Sequence, residues 1–459
     1  MKLKLVSTAL FLIILCISTP AQENNQKSVS VTVYNDNLGV IKDERNINVK
    51  SGTSEIKISD VAKQIDPTSV HIKINGDVLE QNYQYDLVSL DKILEKYTDH
   101  NIKLIDDKDN VIQGKLLSSS GGQLVLQKDD GGLLMIPNTQ KYRYSAGSLP
   151  EGLITKPTLV WTVKSKSSGN QNIEISYQTG GLSWHAEYVA VLNKDDNKLD
   201  LNSWVSIDNK SGATYKNATL KLVAGDINLV RNQRQNQYAP SQVMAMQKAV
   251  QPQFQEKPFF EYHIYNLQRP TTIADNETKQ ISLFEASDIT AAKKYYYHSG
   301  NTYYGSFNPV QNDKVDVILE FNNSEKNNLG MPMPKGIVRV YKSDGNSLEF
   351  VGENQIDHTP KDENINLKIG EAFDILADEV QKENTKIADN VYEQSYEITL
   401  KNRKDEDVTV EVDRTLGNYW KILSSSLPYE KKDAQNIVFK APVKKNSETK
   451  LTFKVRYSY

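Results

Sequence analysis

From Leu182 to Leu192 the chain alternates. Leu182, Trp184, Ala186, Tyr188, Ala190 and Leu192 are apolar or aromatic, and Ser183, His185 and Glu187 fall between them. A period of two places the first set on one face of a β-strand and the second on the other, so Trp184 and Tyr188 are expected in a core and His185 and Glu187 outside it. Gly180-Gly181 before this run and Asp208-Asn-Lys-Ser-Gly-Ala-Thr-Tyr215 after it are turn chemistry. The stretch 177–226 therefore predicts strand, turn, strand, turn, strand, the opening of an antiparallel sheet.

The same rhythm runs through most of the chain. Val29, Val31 and Val33 alternate with Ser30 and Thr32, and turns at 35–37 and 50–52 continue a meander. Asn75-Gly76, between apolar runs at 70–74 and 78–85, is the strongest short hairpin signal present. Leu90, Ile93, Leu94 and Tyr97 at helical spacing behind Ser89 predict one capped helix. From 101 to 144, short apolar runs separated by Asp107-Lys-Asp-Asn110, Ser118-Ser-Ser-Gly-Gly122 and Asp129-Asp-Gly-Gly132 suggest a small closed barrel or its half. Residues 231–258, rich in Gln, Asn and Pro, carry too few apolar side chains to fold alone and read as a mobile insertion.

The expected fold class is mainly β, with antiparallel β-meander and sandwich domains, a small barrel-like N-terminal subdomain and few helices. The expected division is a signal peptide at 1–21, a meander with one helix at 28–97, the barrel-like subdomain at 98–148, a sandwich-like domain at 150–310 holding the 231–258 insertion, and a second sandwich-like domain at 314–459.

Address and charge narrow the function. Lys2 and Lys4, the apolar run 5–17 and Thr19-Pro-Ala21 have the three parts of a secretory signal, with cleavage expected after Ala21. Periplasm, cell surface or secretion follows as the expected location. The apolar run is shorter than the roughly 20 residues that cross a bilayer, and no later segment reaches that length, so no transmembrane segment is expected in the mature chain. Cys16, the single cysteine, lies within the signal, which leaves the mature chain without disulfides, thiolate ligands or a cysteine nucleophile. The 55 basic and 58 acidic residues give a net charge of -3, which offers no field for nucleic acid.

Three groups of side chains are candidates for chemistry. His185 and Glu187, two apart on one strand face, are the usual acid–base pairing, but no nucleophile or oxyanion donor accompanies them, and a solvated or hydrogen-bonded strand face is favoured. Glu353, Asp357, Asp362 and Glu363, with His358 among them, form an oxygen-rich loop of the kind that holds calcium. The loop lacks EF-hand spacing, and Thr359-Pro360 reads as the cap and first position of a helix, so a structural turn is favoured over a metal site. Tyr295, Tyr296, Tyr297, Tyr303 and Tyr304 are a candidate aromatic binding surface, set against the preferred reading of a buried strand with satisfied hydroxyls. Phosphate loops, zinc spacing and the nucleophile elbow are absent from the sequence, and no cofactor is expected.

Several motifs resemble one bacterial family: Tyr34-Asn-Asp-Asn-Leu-Gly-Val40, Glu80-Gln-Asn-Tyr-Gln-Tyr-Asp-Leu87, Pro150-Glu-Gly-Leu153, Gly180-Gly-Leu-Ser-Trp184, Gly336-Ile-Val-Arg-Val-Tyr341 and Gly352-Glu-Asn-Gln-Ile-Asp-His-Thr-Pro360. They look like the domain of unknown function 4139 family, to which the mucoidy-inhibitor A proteins are related. The resemblance spans nearly the whole mature chain. It implies an exported β-rich protein linked to the envelope or its polysaccharide, and it carries no catalytic residues over. The expected function is a non-enzymatic envelope or secreted protein whose β-domain surfaces meet a polymer or another envelope protein. The alternative is a hydrolase of envelope polysaccharide that uses the acidic loop 353–363, since glycosidases work with two carboxyl groups.

Overall fold

The computed structural model describes residues 25–225, 227–228, 253–300, 302–303, 306–344, 347–417 and 419–458. The chain begins with β1 (Gln26–Tyr34), β2 (Gly39–Val49), β3 (Gly52–Ile58), β4 (His71–Lys73), β5 (Asp77–Gln84) and helix α1 (Leu90–Lys96). It continues with β6 (Asn101–Ile105), β7 (Val111–Ser120), β8 (Gln123–Gln127), β9 (Leu133–Ile136), β10 (Arg143–Ser145), β11 (Thr158–Ser165) and β12 (Gly169–Thr179). Next come β13 (Leu182–Leu192), β14 (Lys198–Asn209), β15 (Tyr215–Ala224), β16 (Phe254–Phe259), β17 (Tyr262–Leu267), β18 (Thr271–Ile273), β19 (Glu277–Ser299), β20 (Thr302–Tyr303), β21 (Ser306–Phe307) and β22 (Val310–Asn322). The last are β23 (Gly336–Ser343), β24 (Leu348–Ile356), β25 (Asn364–Ala388), β26 (Val391–Asn402), β27 (Val408–Thr415), β28 (Trp420–Ser425), β29 (Tyr429–Lys431), β30 (Asn436–Val443) and β31 (Ser447–Ser458). The protein is mainly β, as its alternation dictates.

Contacts divide it into two compact units: residues 1–29, 41–61 and 67–177 form one, and residues 30–40, 62–66 and 178–459 form the other. In the first unit β11 lies between β3 and β5, and β6 to β10 form a five-stranded sheet in the order β10-β6-β7-β8-β9. That sheet is open. β9 and β10 are its two edges, so the closed-barrel alternative is wrong, and the segment is an open five-stranded antiparallel sheet. Its core is Leu94 of α1 with Ile102, Leu104, Leu116, Leu124, Leu126 and Ile136. Ser89 caps α1 as expected, its Oγ accepting from the N–H of Lys92 at 3.2 Å.

The Asn75-Gly76 hairpin does not form. β4 pairs with β12 and β5 with β11, so the two strands belong to different sheets. Gly76 is required for another reason: a Cβ there would sit 2.8 Å from the carbonyl oxygen of Lys164.

In the second unit the opening stretch delivers its core face, with Leu182, Trp184, Ala186, Tyr188, Ala190 and Leu192 at most 3% exposed. β13 and β14 pair antiparallel in full register from Leu182↔Asn209 to Leu192↔Leu199. The third expected strand departs. β15 runs parallel to the 30–34 part of β1 instead of joining β14, and its Leu220 and Leu222 are fully buried. The main sheet follows the order β24-β23-β13-β14-β19-β22-β25-β26-β31-β28, with β27 beside β19 and β30. Of the 231–258 insertion, residues 231–252 lie outside the described residues. The expectation extends too far, since Phe254–Phe259 is strand β16, held to β17 with Phe254 buried opposite Leu267.

The C-terminal core contains a buried ion pair. Arg414 donates to Glu379 at 2.6 Å, with the two side chains 3% and 0% exposed. Glu379 also accepts from the Tyr297 hydroxyl at 3.2 Å, the Ser299 hydroxyl at 3.1 Å and the Gly300 N–H at 3.0 Å. The guanidinium lies 4.1 Å from the centre of the Tyr396 ring. Breaking such a pair leaves an uncompensated charge, so Glu379→Leu is expected to lower unfolding free energy by about 3–5 kcal/mol. Glu379→Leu combined with Arg414→Met should recover most of that loss. Urea unfolding of wild type, single and double variants measures both.

Candidate functional site

β13 is paired along its edge with β23, which runs parallel to it with Glu187 level with Ile337 and Val189 level with Arg339. Entry of β23 depends on Gly336, where a Cβ would collide with the carbonyl oxygen of Ala186. The approach to that glycine is tied down by tyrosine hydroxyls: Tyr188 donates to the carbonyl of Pro334 at 2.7 Å and Tyr265 to that of Pro332 at 2.8 Å. Burial pushes the hydroxyls of Tyr188 and Tyr265 up, which keeps them protonated donors.

On this scaffold Arg339 collects two carboxylates. Its Nη1 lies 2.7 Å from Glu187 Oε2, and its Nε lies 3.4 Å from Glu353 Oε2, which β24 places opposite it. The imidazole Nε2 of His185 donates to the other oxygen of Glu187 at 3.2 Å. Glu187 and Arg339 are largely covered, with side chains 11% and 18% exposed, whereas Glu353 is 53% exposed. The hydrogen bond from His185 and then Arg339 hold the Glu187 carboxyl below the usual carboxylate range, against the upward push of burial. Glu187 is therefore a fixed anion.

Two expectations kept apart in sequence, the His185–Glu187 pair and Glu353 of the acidic loop, thus meet on one arginine. In the sequence Arg339 stands outside the three candidate groups. The signal available was its position in Ile337-Val-Arg-Val-Tyr341, where alternation with the fully buried Val338 and Val340 turns it to the face that carries Glu187. Along the same face Trp204 is level with Glu187 and Ser206 with His185. Gln280 on β19 donates to the Ser206 hydroxyl at 3.0 Å. Tyr341 packs edge-on against Phe350, with ring centres 5.6 Å apart, and Phe350 is 55% exposed. The face is open and mixed, with a rigid charged centre and aromatic groups beside it.

The rest of the acidic loop does other work. No helix follows Pro360. Thr359 instead makes a bridge with Met333, its N–H and C=O both engaged, and its hydroxyl donates to the carbonyl of Asp357 at 2.9 Å. The expected cap is corrected to a β-bridge, because buried Met333 anchors the strand-like pairing. His358 Nδ1 accepts from the N–H of Lys335 at 3.1 Å. Asp362 sits at φ 69 and donates its N–H to the carbonyl of Asn323. Among the described residues no group of three or more His, Cys, Asp or Glu is arranged to hold a metal ion.

The tyrosine surface is corrected too. Tyr295 and Tyr297 are 8% and 2% exposed and belong to the C-terminal core, because period two turns both inward from β19. The Tyr295 hydroxyl accepts from Lys404 at 3.0 Å, and Tyr296, half-buried on the other face, pairs with Lys432. Of Tyr303 only the backbone is described, in β20, and Tyr304 lies outside the described residues.

A separate cavity of about 420 Å³ is lined by Asp195, Asp196, Lys293, Lys294, Tyr295, Glu406, Asp407 and Glu411. Its carboxylates are largely matched by lysines. Asp196 bridges Lys293 and Lys342 at 2.5 Å each, Glu406 holds Lys404 at 2.6 Å, and Asp407 holds Lys444 at 2.7 Å. Burial pushes Asp196 up, and the two lysines outweigh it, leaving the carboxyl below its ordinary value.

Residues 173–459 match the family described as Domain of unknown function (DUF4139), and residues 31–115 match the N-terminal domain of unknown function (DUF4140). The chain belongs to the DUF4139 family. No curated protein matches it.

The two partners of Arg339 should differ in weight. Arg339→Met removes a charged hydrogen bond from a covered carboxylate and is expected to cost about 1.5–3 kcal/mol. Glu353→Gln, at an exposed partner, should cost less than about 1 kcal/mol. Thermal and urea unfolding of both variants tests the ranking.

Proposed function

We propose that this is an exported, non-enzymatic protein of the envelope or the secreted fraction, which uses its β-sheet surfaces to hold a polymer or a protein partner. The observation that carries the reading is the engagement of Glu187 and Glu353 by the same arginine on an open sheet face. Hydrolysis of a glycosidic bond needs one carboxyl that keeps its proton near neutral pH to serve as general acid, beside a second that is free to attack or to activate water. Glu187 is held ionised, and both carboxylates serve Arg339. A guanidinium fixed from two sides, with Tyr341 and Phe350 further along its strand pair and Trp204 beside Glu187, is suited to orienting a bound surface instead: it supplies directional donors without a conformational search, and the aromatic groups supply contact area. The signal-like start of the chain supports the exported location.

The reading is tested in the native host and with isolated envelopes. Protein recovered from the host should fractionate outside the cytoplasm and begin at Gln22. Mixed with envelopes, it should co-sediment and release no reducing ends. Release of reducing ends that is abolished by Glu353→Gln would establish the hydrolase of the acidic loop instead.

A further inference from the structure

We infer that β9, at the edge of the five-stranded sheet, accepts an added strand from an extended, uncharged peptide segment with a basic flank. This goes beyond the sheet-face reading and rests on a separate observation. A sheet edge displays unpaired N–H and C=O groups, and chains that must stay unpaired there blunt the edge with a bulge, a charge or a proline.

Other edges of this protein carry those devices. β5 has a bulge that leaves Leu79 without a partner in β11. β28 has one at Leu423 against β31. β16 carries Glu256, Lys257 and Pro258. The end of β25 beyond its last β22 partner at Glu379 carries Lys382, Glu383 and Lys386 and two register shifts. β9 has no bulge, charge or proline, and its four-residue length is the one protection it carries. Its sequence is Leu133-Leu-Met-Ile136, and its pairing to β8 runs unbroken from Gln127↔Leu133 to Leu124↔Ile136. Its outward side chains are bare as well: Leu133 is 57% and Met135 70% exposed, with Val125 level with Met135 on the next strand.

The occupant follows from length and charge. Four residues span about 13 Å, so strand addition here buries a few hundred Å², roughly, well short of the about 1,200 Å² that a stable dimer needs. A second copy held by this edge alone is therefore too weak. The turn that feeds β9 carries Lys128, Asp129 and Asp130, a net charge of -1 that disfavours an anionic lipid surface and favours a basic residue beside the added strand. What remains is a peptide that takes its affinity from main-chain hydrogen bonds and its selectivity from alternate apolar side chains lying against Leu133 and Met135.

The test uses the full chain and a fluorescein-labelled probe, Lys-Lys-Val-Thr-Val-Thr-Val, followed by anisotropy and by amide hydrogen exchange. The expected result is saturable binding, slowed exchange confined to the segment containing β9, and affinity weakened about tenfold or more in Met135→Lys and Leu133→Lys. Both positions are exposed, so both variants should keep the wild-type melting temperature. Phe260→Ser, at an exposed turn elsewhere, should bind as wild type does. Absence of binding, equal binding by both lysine variants, or equal binding of a probe with proline at alternate positions overturns the inference. Sedimentation of the protein alone supplies the last arm, because a dimer lost in Met135→Lys would assign the edge to a second copy and overturn the peptide.

Discussion

Backbone hydrogen bonding along β19 is the constraint on which the larger unit depends. A strand of 23 residues cannot keep one pair of neighbours over its whole length while the sheet twists, and β19 changes partners midway. Glu277 to Thr290 pair with β14, and Ala291 to Tyr296 pair with β22. From Tyr295 to Ser299 the strand also runs parallel to β27. One continuous backbone thus fixes β14, and through it β13 and Arg339's strand, to the layer that encloses Glu379 and Arg414. The same strand brings Tyr297, Ser299 and Gly300 to the buried carboxylate. Those three donors and Arg414 supply hydrogen bonds to the buried Glu379 side chain.

Period-two alternation made the parts legible and left their partners open. Leu182 to Leu192 could be assigned faces from sequence because an alternating run has only two, and Ser89 could be assigned a cap because the bond is made within one turn of chain. Neither holds for pairing. Nothing local in Ser30 to Tyr34 names Thr219 to Val223 as the parallel neighbour. Nothing in Asn75-Gly76 reveals that the strands on either side serve different sheets, since a glycine chosen for a close pass by Lys164 looks the same as one chosen for a hairpin. The tyrosine run allows two readings in sequence, a surface and a buried strand, for the opposite reason. Adjacent aromatic residues suggest a patch, but on a strand Tyr295 and Tyr297 must face away from Tyr296.

The site shows the same division. His185 and Glu187 were legible as a pair because they lie two apart on one strand, where their contact is local. Glu353 was legible only as one acid among several. Arg339, which joins them, sits 152 residues from Glu187, and only the parallel register of β13 and β23 puts it there. Once it is there, the chemistry changes. Carboxylates that look like candidate acids in sequence become the counter-charges of a guanidinium, while Asp362 and Glu363 of the loop exchange backbone hydrogen bonds with Asn323. The charged cavity around Asp196 follows the same pattern, with lysines opposite its carboxylates.

The central claim is that Glu187 is a permanent anion serving Arg339 rather than a proton donor. Its carboxyl carbon can be followed directly by NMR in protein labelled with ¹³C at glutamate, with the resonance assigned by loss of the signal in Glu187→Gln. Its ordinary value is 4.5. The account predicts a midpoint below that value, moving upward in Arg339→Met. A midpoint raised toward neutrality in the wild-type protein, where a general acid would keep its proton, would contradict it.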